Sequence, residues 1–182
     1  MPKARLAVGI AVAVVAAIAL VLLIESGGSD GDSKPSRTER PAAQRPSVVS
    51  LERLRGLAHS VGQQVYWAGQ RPGGYELTVD ANRNIFIRYL GGRVQAGSRR
   101  QTSLTVGTYP YADAYRTLQA ASRQPGAIAA RTPDGGIVVA SRSSRENVHI
   151  AYPRNDIQVE VYDPHPGRAL ELARAGAISL IR

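Results

Sequence analysis

The segment Tyr75-Glu76-Leu77-Thr78-Val79-Asp80-Ala81-Asn82-Arg83-Asn84-Ile85-Phe86-Ile87-Arg88-Tyr89 decides the fold class. Apolar and polar residues alternate on both sides of a short interruption rich in turn formers, the pattern of an antiparallel hairpin with one buried face. With Ala81-Asn82-Arg83 as a three-residue loop, Val79 meets Ile85, Leu77 meets Ile87 and Tyr75 meets Tyr89. The same register sets Thr78 opposite Phe86 and Glu76 opposite Arg88 on the second face. A slip of one residue would exchange the two faces, so alternation alone selects the pairing.

The reading extends to the C-terminal half. A turn at Arg154-Asn155 pairs Tyr152 with Ile157, Ile150 with Val159 and Val148 with Val161. It also places His149 across from Glu160 and Ala151 across from Gln158. A further turn near Ser143-Ser144 is expected to pair Val139 with Val148 and Ile137 with Ile150. Three helices punctuate these strands. One starts at the N-cap Ser50, shows Leu51, Leu54, Leu57 and Val61 on one face, and stops at Gly62. A second follows Pro110 with Tyr111, Tyr115, Leu118 and Ala121 on one face. The third takes Asp163 as N-cap and Pro164 in its first turn, buries Leu170 and Leu172, and stops at Gly176. The sequence therefore predicts an α+β domain, a mainly antiparallel sheet with about three helices on one face. Its two halves each read as strand-strand-strand-helix.

The N-terminal quarter is different in kind. Leu6 to Ile24 is nineteen residues without a charged or strongly polar side chain, twelve of them Leu, Ile or Val. As a helix it would reach roughly 28 Å, close to the thickness of bilayer hydrocarbon. Lys3 and Arg5 precede it, so the positive-inside rule keeps the N-terminus cytoplasmic and sends the remainder outward. A cleaved signal peptide, with Ser26-Gly27-Gly28 as its cleavage site, is the alternative, and export follows from either. Residues 25–47 hold Pro35, Pro41 and Pro46 and four charges of each sign, with almost nothing to bury, and read as a disordered linker. The expected organisation is a stub and transmembrane helix over 1–24, the linker, and an extracytoplasmic domain over 48–182.

Across its 182 residues the chain carries a net charge of +9 and has no cysteine, which excludes disulfides, thiolate metal sites and cysteine catalysis. Arginine outnumbers lysine 21 to 2 and is scattered rather than clustered, so the charge does not argue for nucleic acid. No hydrolase elbow, zinc helix, phosphate loop or calcium loop occurs, and His59, His149 and His165 lack ligand spacing; no metal or cofactor is expected. His149 opposite Glu160 has the arrangement of a general base with its orienting carboxylate. The carboxylate would raise the imidazole pKa. Without a nucleophile beside them, they read better as an ordinary cross-strand pair, and Glu76 with Arg88 reads the same way. Of Tyr66 and Trp67, one ring is expected in the core and the other on the mixed face; for Trp67 core packing is the favoured reading and an aromatic binding platform the alternative. Gly91 to Thr102 is the longest connection and carries Arg93, Arg99 and Arg100, either a solvated tip or a contact for an anionic envelope polymer or acidic partner.

Val65-Tyr66-Trp67-Ala68-Gly69, then Tyr75-Glu76-Leu77, with Val161-Tyr162-Asp163-Pro164 near the end, resembles a group of uncharacterised single-span proteins of GC-rich actinobacteria. The resemblance covers about residues 51–182 and implies an anchored envelope domain, without an activity to carry over. The expectation is a non-catalytic binding or interaction module, its contacts drawn from Glu76, Arg88, His149, Glu160, Trp67, Arg93, Arg99 and Arg100. Two alternatives stand beside it, an envelope hydrolase using His149 and Glu160, and a structural subunit of a membrane complex.

Overall fold

Alternating strands dominate the computed structural model, which describes residues 44–91, 96–98 and 100–182. The expected span Leu6–Ile24 and most of the expected linker lie outside these residues. Among the described residues no helix is long and apolar enough to cross a membrane. The elements in order are β1 (Gln44–Val49), α1 (Leu51–Ser60), β2 (Tyr66–Trp67), β3 (Gly74–Val79), β4 (Ile85–Leu90), β5 (Thr105–Pro110), α2 (Ala114–Ala121), β6 (Ala127–Arg131), β7 (Ile137–Ser141), β8 (Ser144–Ala151), β9 (Ile157–Tyr162), α3 (Arg168–Arg174) and β10 (Ser179–Leu180). This is an α+β domain. Eight strands form one antiparallel sheet in the order β1-β3-β4-β5-β9-β8-β7-β6, while β2 and β10 pair as a separate ribbon.

The decisive hairpin has the register its alternation implies, from Val79 with Ile85 through Glu76 with Arg88 to Tyr75 with Tyr89. Its turn is held by Asp80, whose carboxylate accepts from the Asn82 and Asn84 backbone N–H groups at 2.8 and 2.9 Å. Arg83 takes the left-handed conformation (φ 63°) that closes such a three-residue loop. The β8–β9 ladder likewise pairs Val148 with Val161, His149 with Glu160, Ile150 with Val159 and Ala151 with Gln158. It stops there, and Tyr152 lies past the end of β8.

The β7–β8 pairing corrects the expectation by one residue: Val139 pairs with His149 and Val138 with Ile150. The register shifts beyond Ala140. There the Arg145 and Glu146 carbonyls turn away to accept from Gly167 N–H at 2.9 Å and Asp163 N–H at 3.0 Å, ahead of α3. Because strand side chains alternate, Val138 and Ala140 join one face and Ile137 and Val139 the other.

That parity corrects the helix placement as well. Val138, Ala140, Val148, Ile150, Val159 and Val161 lie in the larger core with Leu54 of α1 and Ala169, Leu170 and Ala173 of α3. Ile137, Val139 and Ala151 form a smaller core with Ala114, Leu118 and Ala121 of α2. The helices therefore cover both faces, α1 and α3 one and α2 the other. β7 makes this possible, since Ile137-Val138-Val139-Ala140 is buried at every position. Helix α1 begins as read, with Ser50 Oγ accepting from Arg53 N–H at 3.2 Å. Helix α3 begins later than expected, after Gly167 (φ 89°). Asp163 instead braces the preceding turn, accepting from His165 N–H at 2.9 Å.

Residues 44–47, read as part of the linker, belong to edge strand β1. Its pairing with β3 shifts between Gln44 and Ser47, and Pro46 sits within that irregularity. Proline, lacking an N–H, is tolerated at such an edge.

Candidate functional site

The second face of the sheet, opposite the larger core, carries the polar residues. Three cross-strand rows can be followed from the registers. The first runs Glu76, Arg88, Thr105, Tyr162, Asn147. The second runs Thr78, Phe86, Gly107, Glu160, His149, Val139. The third has Tyr109, Gln158, Ala151 and Ile137, and α2 lies over its Ala151–Ile137 end.

The first row is closed. Glu76 and Arg88 form an ion pair at 3.4 Å, with only 7% and 15% of their side chains exposed. The long connection folds back onto them: Gly97 N–H donates to Glu76 Oε2, and Arg88 Nη1 donates to the Ser98 carbonyl. Tyr162 OH donates to the Gln101 carbonyl at 2.8 Å. The described part of this connection is thus bound to the mixed face rather than a solvated tip. Arg93 and Arg99 lie outside the described residues, and Arg100 is exposed. A buried ion pair with further hydrogen bonds stays ordered because removing either partner strands a charge. Glu76 and Arg88 therefore act as structure.

The second row is half open. Gly107 has no side chain, and the Tyr109 ring lies over it: a Cβ at Gly107 would fall 2.7 Å from the Tyr109 hydroxyl. Lying so, Tyr109 reaches Glu160 and donates its hydroxyl proton to Oε2 at 2.7 Å. Phe86 packs edge-on against the same ring, centroids 5.5 Å apart. Burial, followed by the Glu160 charge, pushes the Tyr109 pKa far above its ordinary value, so the phenol remains a donor. Sequence reasoning passed over Tyr109. The signal was the shared parity of Thr105, Gly107 and Tyr109, which puts a tyrosine beside a glycine gap.

His149 faces Glu160 as the register required, yet its pKa moves opposite to expectation. Desolvation lowers it, outweighing the Glu160 charge that raises it. The imidazole is neutral near pH 7. Gln158 Nε2 lies 3.2 Å from Nδ1; with the amide donating, the ring proton sits on Nε2. Among the described residues Gln158 is the only hydrogen-bond partner of the ring. The described residues contain no group of three or more His, Cys, Asp or Glu able to hold a metal.

Trp67 is not on this face. Both aromatic residues of β2 are buried against the larger core: Tyr66 stacks on Tyr152 (5.3 Å, 8°) and Trp67 tilts against Tyr75 (6.5 Å, 48°). The ribbon pairs Trp67 with Ser179 and Tyr66 with Leu180, and Tyr66 N–H donates to Thr108 Oγ1 at 3.1 Å, which ties β2 down over β5. The structure thus brings together Glu76 with Arg88 and His149 with Glu160, and separates Trp67 from both. Compared with known proteins, the chain matches no family model, no curated protein and no solved structure.

Proposed function

We propose that the chain is a single-pass envelope protein, Leu6–Ile24 crossing the bilayer and the C-terminal domain facing outward as a non-catalytic binding module. The observation that carries the binding role is the half-open strip of the mixed face formed by Phe86, Tyr109, Glu160, His149 and Gln158. α2 closes one side of it and the returning connection the other. Two aromatic rings beside a carboxylate and a neutral imidazole offer a ligand both apolar contact and hydrogen-bonding groups, which supports a recognition role. The apolar length of residues 6–24 and the basic residues ahead of it support the anchor, as does the resemblance to single-span proteins.

The subunit reading has less behind it. Among the described residues the large apolar side chains left exposed are Val48 on edge strand β1 and Tyr111 in the loop between β5 and α2, not a contiguous patch. The hydrolase reading needs a nucleophile beside His149, whose ring among the described residues is hydrogen-bonded to Gln158.

A photoreactive phenylalanine analogue at position 86, compared with one at the exposed α1 position 55 in intact cells, tests the proposal. A discrete adduct from 86 and none from 55 is the expected result. No adduct from 86 overturns the assignment of this face. Protease added to wall-stripped cells tests the topology, and protection of the C-terminal domain would return it to the cytosol.

A further inference from the structure

Glu160 is 8% exposed, yet among the described residues it has no cationic partner. Its one hydrogen bond comes from Tyr109, to Oε2. A carboxylate has about four acceptor positions, so most of its capacity is unused. Among the described residues nothing donates to Oε1, which keeps some contact with solvent. The contrast lies two residues away in register. Glu76, equally buried, has both a guanidinium and a backbone N–H. A buried carboxylate without a cation is costly unless something completes it.

Resting on the binding role proposed above, we infer that Glu160 is the docking point for a ligand's ammonium group, seated on Oε1 beside the Tyr109 and Phe86 rings. The rings favour an organic cation over a hydrated metal ion, since an aromatic face attracts the ammonium and packs against the alkyl chain behind it, whereas a metal ion would have to give up far more tightly held water. His149 does not compete for the carboxylate at neutral pH, because its ring is uncharged. The positive net charge of the domain works against cations at long range, so attraction here is a short-range, charge-assisted hydrogen bond and depends little on salt.

The test uses the full chain in phosphatidylglycerol nanodiscs, whose headgroup carries no ammonium, titrated with n-butylammonium and, as controls of equal length, n-butanol and butyrate, followed by backbone amide NMR. Saturable shifts at Gly107, Tyr109 and Glu160 but not at α1, with both controls silent, are expected. Glu160→Gln, nearly isosteric, should weaken binding by about tenfold or more, the loss of one charge-assisted contact. Silence toward n-butylammonium in the wild type, or equal affinity in the variant, overturns the inference; the wild-type shift map decides the matter even if the variant fails to fold. Two arms separate the sources of such a group: Nα-acetyl-lysine methylamide in solution, and nanodiscs containing phosphatidylethanolamine. The arm that moves the same amides identifies a lysine side chain or a lipid headgroup. If position 86 crosslinks in cells while n-butylammonium is silent, only the ammonium assignment falls. If no crosslink forms, the binding role falls first.

Discussion

The two faces of the central sheet are built from neighbouring residues of the same strands and do different work. On β4, Ile87 is fully buried in the larger core, while Phe86 beside it is half-buried on the mixed face. On β9, Val159 and Val161 are sealed, and Glu160 between them looks onto the open strip. Apolar burial contributes roughly 1.5–3 kcal/mol per side chain, so the face with the larger core carries most of the stability, the α2 core on the other face adding a smaller share. Fixed by that face, the other can hold a carboxylate with unused acceptors. The lesson is a division of labour set by strand parity.

The sharpest way to break this comparison is to truncate adjacent residues on β4. Ile87→Ala should cost about 3 kcal/mol, the usual range for an aliphatic core cavity. Phe86→Ala should cost less than half of that, although the ring is larger. Urea unfolding followed by fluorescence of Trp67, the single tryptophan and a buried one, reads both. A larger loss from Phe86→Ala would mean that the mixed face is core.

Next in size comes Glu76→Ala. It removes the carboxylate that joins Arg88 to the returning connection through Gly97, and should cost about 2 kcal/mol. Glu160→Gln, by contrast, should not destabilise, because no guanidinium depends on the charge and removing a buried carboxylate without a cation relieves its desolvation. Equal losses at the two glutamates would erase the distinction between the closed and open rows.

Gly107→Ala follows, at about 1–2 kcal/mol, the cost of forcing the Tyr109 ring off its seat. The effect should be specific. The Tyr109–Glu160 hydrogen bond is lost and the Phe86–Tyr109 contact opens, seen as ring-proton shifts by NMR, while the Tyr75–Tyr89 contact on the larger core stays put.

How much of this was legible depended on whether the two parities of a strand differed. In β3, β4, β8 and β9 one parity is apolar and the other mixed, so the registers, and with them the Glu76–Arg88 and His149–Glu160 juxtapositions, could be read directly. In β7 both parities are apolar, and alternation carries no register information; the one-residue error and the misplaced α2 share that cause. β1 was hidden by Pro46 and its polar neighbours, which look like tether until an edge and a pairing irregularity accommodate them. Tyr109 was hidden because its role depends on what Gly107 lacks. The sign of the His149 shift was not legible either, since it turns on desolvation by packed neighbours rather than on the residue across the ladder.

That last point gives the smallest expected effect and the one most particular to the open strip. A histidine whose folded-state pKa lies below its unfolded value near 6.5 binds fewer protons when folded. Stability then rises with pH in the window between the two values. Going the other way, it is full above about pH 6.5, falls as the unfolded chain protonates, by at most about 1.4 kcal/mol per pH unit, and levels off once the folded ring protonates too. Glu160 opposes the desolvation and narrows the window, so the folded ring, once charged, has a carboxylate to face. His149→Gln removes this titration and leaves the carboxylates unchanged, so the difference between wild type and variant in urea midpoint between about pH 7 and 5 isolates it. The wild type should lose more stability than the variant as the pH falls. The reverse sign would mean that the Glu160 charge dominates and raises the ring's pKa on folding, so that the protonated imidazole, rather than a ligand's ammonium group, is the cation this carboxylate pairs with.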